Sequence, residues 1–121
     1  MKISLVCKEK EMVSEAKKAF ELTDELRVFS DWKEALAAAK GIDLMIVDLV
    51  ATLTEPTRID GYEEFAMHKM GNKDAAKVPL VIISPPDDCE LDSMVGWPDF
   101  VFGHVKRPVT MKIFRRISTW V

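Results

Sequence analysis

The sequence is poor in the features by which several function classes are recognised. It holds two cysteines, Cys7 and Cys89, far apart and outside any metal-binding spacing. The start of the chain lacks the apolar core of a secretory signal, so both cysteines are expected as reduced thiols in cytoplasm. No apolar run approaches the length of a membrane span. Positive charge is also short: the formal net charge is -3, which argues against nucleic-acid binding by bulk basicity. The basic residues Lys106, Arg107, Lys112, Arg115 and Arg116 read as a solvated helix face rather than a binding patch. There is no internal repeat, low-complexity tract or linker, and no glycine-rich phosphate loop.

What is present is an ordinary globular balance. Of 121 residues, 48% are hydrophobic and 31% charged, consistent with one domain around one core. The organising stretch is Gly41-Ile42-Asp43-Leu44-Met45-Ile46-Val47-Asp48-Leu49. Leu44 to Val47 is an unbroken apolar run that stops at a carboxylate, which suits a strand buried on both faces of a parallel sheet. Ligands of open parallel sheets gather outside the carboxyl ends of the strands. Asp48 therefore stands either at a functional edge or at the start of an ordinary loop.

Along the chain, Ile3 to Cys7 reads as a first strand. Met12, Ala16, Ala19 and Phe20 recur at helical spacing from Glu11 to Leu22. Leu26, Val28 and Phe29 mark a second strand. Asp31 with Glu34 forms a capping box for a helix ending at Gly41. After Asp48 comes a connection from Val50 to Asp60, then Asp60-Gly61 as a turn. The next helix has Tyr62, Phe65, Ala66 and Met70 inward and is closed by Gly71-Asn72. Val78 to Ser84 is the fourth strand, Cys89 to Val95 a short helix, and Phe100 to Phe102 the start of a fifth strand. Thr110 caps a last helix through Trp120. Five strands alternating with five helices predict an α/β fold, a parallel sheet with helices on both faces.

In such a sheet the strand ends bring together Cys7-Lys8-Glu9, Asp48, Ser84 and His104 to Arg107. A carboxylate, a hydroxyl and a cation in one crevice suit a phosphoryl group, the carboxylate accepting it and the others holding its oxygens. The alternative is that Ser84 turns the chain and Lys106 is merely solvated.

The ordered series Ile42 to Leu49, Asp60-Gly61, Val78-Pro79-Leu80-Val81-Ile82-Ile83-Ser84 and Lys106-Arg107-Pro108 resembles the response-regulator receiver domain over nearly the whole chain. The resemblance implies a flavodoxin-like, doubly wound sheet of order 2-1-3-4-5, as in the chemotaxis receivers. It also implies phosphoryl transfer from a histidine kinase to Asp48 with Mg²⁺, Ser84 as the family's hydroxyl and Lys106 as its strand-five lysine. In the family that lysine directly precedes a proline. Arg107 intervenes here, so Lys106 or Arg107 fills the role. His104 stands at the family's aromatic switch position.

The sequence also departs from the family. The acidic pair that holds Mg²⁺ after strand one is replaced by Cys7 and Lys8, which offer no oxygen to a hard cation. Lys8 is expected to pair with Asp48 instead, mimicking the metal's charge. The leading expectation is a stand-alone, degenerate receiver (a pseudo-receiver) of a two-component phosphorelay, one domain over residues 1–121 with no output domain. It is expected to be no enzyme, to lie in the cytoplasm and to act through protein contacts with a histidine kinase or a downstream signalling protein. Trp97 and Trp120 are its candidate partner surface, against the alternative of core packing. No cofactor or metal is expected, with Mg²⁺ entering only if Asp48 is a live phosphorylation site. Two alternatives stand beside it: a working phosphoacceptor at Asp48, with Glu9 supplying a ligand, and a small-ligand-binding flavodoxin-like module. The second is disfavoured because Lys8-Glu9-Lys10-Glu11 lacks phosphate-cradling residues.

Gly71-Asn72-Lys73-Asp74 is a weak echo of a guanine-recognition motif. Asp87, Asp88, Glu90 and Asp92 read as an acidic first turn. His68 lacks partners at metal-ligand spacing.

Overall fold

In the three central strands every side chain from the second residue on is buried, and that decides the architecture. A computed structural model describes residues 1–22, 24–52, 60–84 and 102–120. Five parallel strands form one sheet of order β2-β1-β3-β4-β5: β1 (Lys2–Val6), β2 (Glu25–Phe29), β3 (Leu44–Asp48), β4 (Leu80–Ser84) and β5 (Gly103–Lys106). Between and after them lie α1 (Lys10–Phe20), α2 (Trp32–Ala37), the single turn α3 (Leu49–Thr52), α4 (Asp60–Gly71), a 3₁₀ turn (Ala75–Lys77) and α5 (Met111–Ser118).

Alternation along the strands sends side chains to two cores. Leu44, Ile46, Ile3, Leu5, Val81 and Ile83 meet Met12, Phe20, Phe114 and Ile117 of α1 and α5. Met45, Val47, Val6, Leu80 and Ile82 meet Trp32, Leu36, Tyr62 and Phe65 of α2 and α4. The flavodoxin-like, doubly wound arrangement is thus the expected one. The edge strands β2 and β5 alternate only weakly and leave Val28, His104 and Lys106 outward.

Several boundaries differ from the sequence reading, each for a physical reason. The described part of the fifth strand is Gly103–Lys106, the continuation of the run that the sequence starts at Phe100. Phe102 is 55% exposed and only starts the pairing, its N–H donating to the Leu80 carbonyl at 2.8 Å. Helix α2 stops at Ala37, and Gly41, at φ +81°, serves the turn into β3 instead of ending the helix. Asp31 does cap α2, its carboxylate accepting from the Lys33 N–H at 2.9 Å. That bond goes to the second helical residue, not to Glu34 at the capping-box position. Thr110 occupies the N-cap of α5 through its backbone; its side chain makes no cap bond. Asp60-Gly61 opens α4 rather than forming a turn before it. The helix Cys89–Val95, Trp97 and Phe100 lie outside the described residues.

In α4 the inward position beside Ala66 belongs to Lys69, not Met70. Residues 62, 66 and 69 share one helical face, so Met70 is 53% exposed and Lys69 only 3%. The Lys69 ammonium donates to the Val78 carbonyl at 2.8 Å. Next to it, Asn72 accepts from the Asp74 and Ala75 N–H groups at 3.0 and 3.1 Å and donates to the Leu36 carbonyl at 3.1 Å. The Gly71-Asn72-Lys73-Asp74 stretch is therefore a structural joint between α4, α2 and β4.

Burial lowers the Lys69 pKa to about 8. The folded state then releases a proton that the unfolded chain still holds up to its ordinary value of 10.5. Stability should rise with pH through that window, because the unfolded state binds more protons. Urea titrations between these limits should show the rise in the wild type and its loss in Lys69→Met.

Candidate functional site

The site grows out of the sheet register. Val6 pairs with Val47, so Cys7 lies level with Asp48; Asp48 pairs with Ile83, and Ser84 with Lys106. Glu9 and Arg107, just past two of these strand ends, lie beside them. The expected convergence at the carboxyl edge is thereby observed, with a different distribution of contacts.

Asp48 is 2% exposed, and its Oδ2 is held by the Arg107 guanidinium. The other guanidinium arm reaches Glu9, with Nη1 and Oε2 2.5 Å apart. Arg107 thus bridges the loop after β1 to the end of β3 from the loop after β5. Its peptide bond to Pro108 is cis. Oδ1 of Asp48 is buried and has no hydrogen-bond partner among the described residues. Burial pushes the Asp48 pKa above the ordinary carboxylate value and outweighs the pull of Arg107 and the Val50 N–H.

Cys7 is buried, its sulfur 3.8 Å from Asp48 Oδ2 and 3.6 Å from Met12 Sδ. Burial raises its pKa to about 11, which leaves an inert thiol rather than a reactive thiolate. Lys8 does not take the place beside Asp48 that the sequence suggested. An extended chain alternates its side chains; with Cys7 inward, Lys8 is turned outward and exposed. Arg107 supplies the cation there. Ser84 is fully buried and shares a 2.8 Å hydrogen bond with Nε2 of the exposed His104. Lys106 is exposed.

The donor set does not fit Mg²⁺. The Cys7 thiol is a poor ligand for a hard cation, the Lys8 ammonium is exposed, and the carboxylates of Asp48 and Glu9 both converge on a guanidinium. Among the described residues no group of three His, Cys, Asp or Glu side chains could hold a metal ion.

Of the candidate partner surface, Trp97 lies outside the described residues. Trp120 is 36% exposed, and its ring lies so close over β5 that a Cβ on Gly103 would sit 2.8 Å from it. The ring thus both covers the strand and shows an edge to solvent. His68 is exposed, tilted against Trp32 at 5.4 Å and 3.9 Å from Glu64. Among the described residues no helix is long and apolar enough to cross a membrane.

Known structures share this fold. The fold is that of receiver domains. A signal receiver domain from Clostridium thermocellum superposes with a TM-score of 0.76 at 14% identity, over 98% of this chain and 95% of that one. The Mn²⁺-bound response regulator Rcp1 gives 0.70 at 19% identity, over 98% and 91%. NtrX from Brucella abortus gives 0.73 at 17% identity over 98% of this chain, which spans 25% of that longer protein. No protein-family model and no curated protein matches the sequence. The receiver fold is thus shared with almost no sequence. Arg107 as the partner of Asp48 is half-legible, since the sequence leaves it open beside Lys106. Its second partner, Glu9, reads from the sequence only as a metal ligand.

Replacing Arg107 by methionine keeps the stem and removes the charge. The Asp48 carboxyl should then titrate at higher pH than in the wild type, read from its ¹³C shift, because burial and Glu9 would act without an opposing cation. The variant should lose about 3 kcal/mol of stability at neutral pH, the usual cost of stranding a buried charge. The loss should shrink in acid, where Asp48 is protonated.

Proposed function

We propose that this chain is a receiver-like module of two-component signalling that works through protein contacts, with Asp48 neutralised by Arg107 instead of phosphorylated through a metal. The observation that carries the reading is the Glu9–Arg107–Asp48 bridge at the carboxyl edge of a receiver fold. It puts a cation of the chain itself on the acceptor carboxylate, whereas one structural neighbour is described as Mn²⁺-bound. The module is a binding partner rather than an enzyme, acts in the cytoplasm, and engages a histidine kinase or a downstream signalling protein.

In this reading Ser84 and His104 form the link between strand ends β4 and β5 that the family's hydroxyl and switch residue would make. Their 2.8 Å hydrogen bond gives the Ser84 hydroxyl a partner within the chain. Trp120 and the exposed Phe102 supply apolar area at the β5 edge for a protein partner. The second reading, a working phosphoacceptor, is favoured by one observation: Asp48 Oδ1 has no partner among the described residues.

Exposing the protein to a small acyl phosphate with Mg²⁺ and measuring its intact mass separates the two. The wild type should remain unmodified. Mg²⁺-dependent phosphorylation in high yield, lost in Asp48→Asn, would establish the phosphoacceptor instead.

A further inference from the structure

We infer that Arg107 is the built-in occupant of a cation site whose walls are the carboxylates of Asp48 and Glu9, so that this crevice is closed to divalent metal and held in one state. The inference rests on the receiver-like reading of the edge and goes further, because it names the group that fills the crevice and the kind of regulation this leaves open.

Three features of the bridge carry it. The guanidinium touches both carboxylates at once, one through each terminal nitrogen, in the fixed directions of a planar fork. Asp48 is nearly inaccessible, while the Arg107 side chain keeps 23% exposure and Glu9 42%. The bridge is thus buried at Asp48 and opens outward at Glu9. Finally, Arg107 and Glu9 line an open groove of about 420 Å³ between α1 and the loop before α5, with Met12, Val109 and Thr110. The groove reaches Glu9 and the guanidinium from solvent, and the guanidinium stands between it and Asp48.

The consequence is mechanical. Glu9 begins α1, Asp48 ends β3 and Arg107 lies just past β5, so one side chain ties together three connections of the sheet edge. In a site that waits for a metal and a phosphoryl group, those connections change when the charges arrive. Here the charge is covalently present at all times. The arrangement offered to a partner is constitutive, and control must come from the partner or from the amount of this chain.

The test is chemical rescue. Arg107→Ala should melt at lower temperature than the wild type. About 10 mM guanidinium chloride, far below denaturing concentrations, should bring its melting temperature back towards the wild-type value. Mg²⁺ at the same concentration should leave the wild-type amide spectrum unchanged at Cys7, Glu9 and Asp48. Arg107→Lys, which keeps the charge without the fork, should melt between the two, and it serves as the test if the alanine variant does not fold. Mg²⁺-dependent shifts at those amides in the wild type would overturn the inference. So would an alanine variant indifferent to guanidinium, or a lysine variant no more stable than alanine. These outcomes are separate from phosphodonor labelling: a wild type that ignores Mg²⁺ yet is labelled would refute the proposed function and leave the cation site standing.

Discussion

A carboxylate taken out of water must find a counter-charge or take up a proton, and the functional edge of this chain is built around that demand. Asp48 ends the central strand of the sheet, where it is 2% exposed. Isolated, its charge would be worth several kcal/mol of penalty. Arg107 offsets that penalty from across the crevice, and Glu9 in turn balances the second arm of the guanidinium. The net charge of the three groups is one negative, shared with a half-exposed Glu9 that water can reach. Among the described residues, Oδ1 of Asp48 and Nε of Arg107 are the buried polar atoms of the bridge left without a hydrogen bond.

The sheet makes such a meeting unavoidable. Parallel strands with both faces covered put their carboxyl ends on one edge, whatever the side chains there are. Residues 7, 48, 84 and 106 are separated widely in sequence, yet register brings them within a few residues of one line. The apolar strands thus specify the location of the site, and the residues just past their ends specify its chemistry. The two can diverge independently, which is how a TM-score of 0.76 coexists with 14% identity.

This split also explains what is legible in the sequence. The core is written redundantly: Leu44 to Val47 and Leu80 to Ile83 are continuous apolar runs, and their alternation with helical segments implies the parallel sheet. The strand order comes only with the family resemblance. Edges are not redundant. β5 has Gly103, His104 and Lys106 among its four residues, so its position cannot be read from hydrophobicity. The one-turn α3 is too short for periodicity to reveal, and Lys69 lies inward because its stem is apolar enough to be buried while its tip reaches the Val78 carbonyl. The site is legible as a set of strand ends but not as a set of contacts. Whether Lys8, Lys106 or Arg107 faces Asp48 depends on which way each side chain leaves the backbone. The outward turn of Lys8 comes from one residue of alternation. The reach of Arg107 comes from a loop geometry that no pattern of residue types encodes.

The choice of arginine over lysine at this point is itself informative. A lysine could neutralise Asp48, but its ammonium is a point charge without the fixed geometry that aims two contacts at separate elements. Arginine's fork makes two directed contacts from one side chain, and here they run to different elements. A guanidinium stays protonated across all physiological conditions. Nothing on the arginine can therefore switch the bridge off. The groups that can titrate are the carboxylates, and Asp48 is the one whose ionisation burial already opposes. At the carboxyl edge of this parallel sheet the chain thus carries an internal ion pair whose least stable charge is on the aspartate.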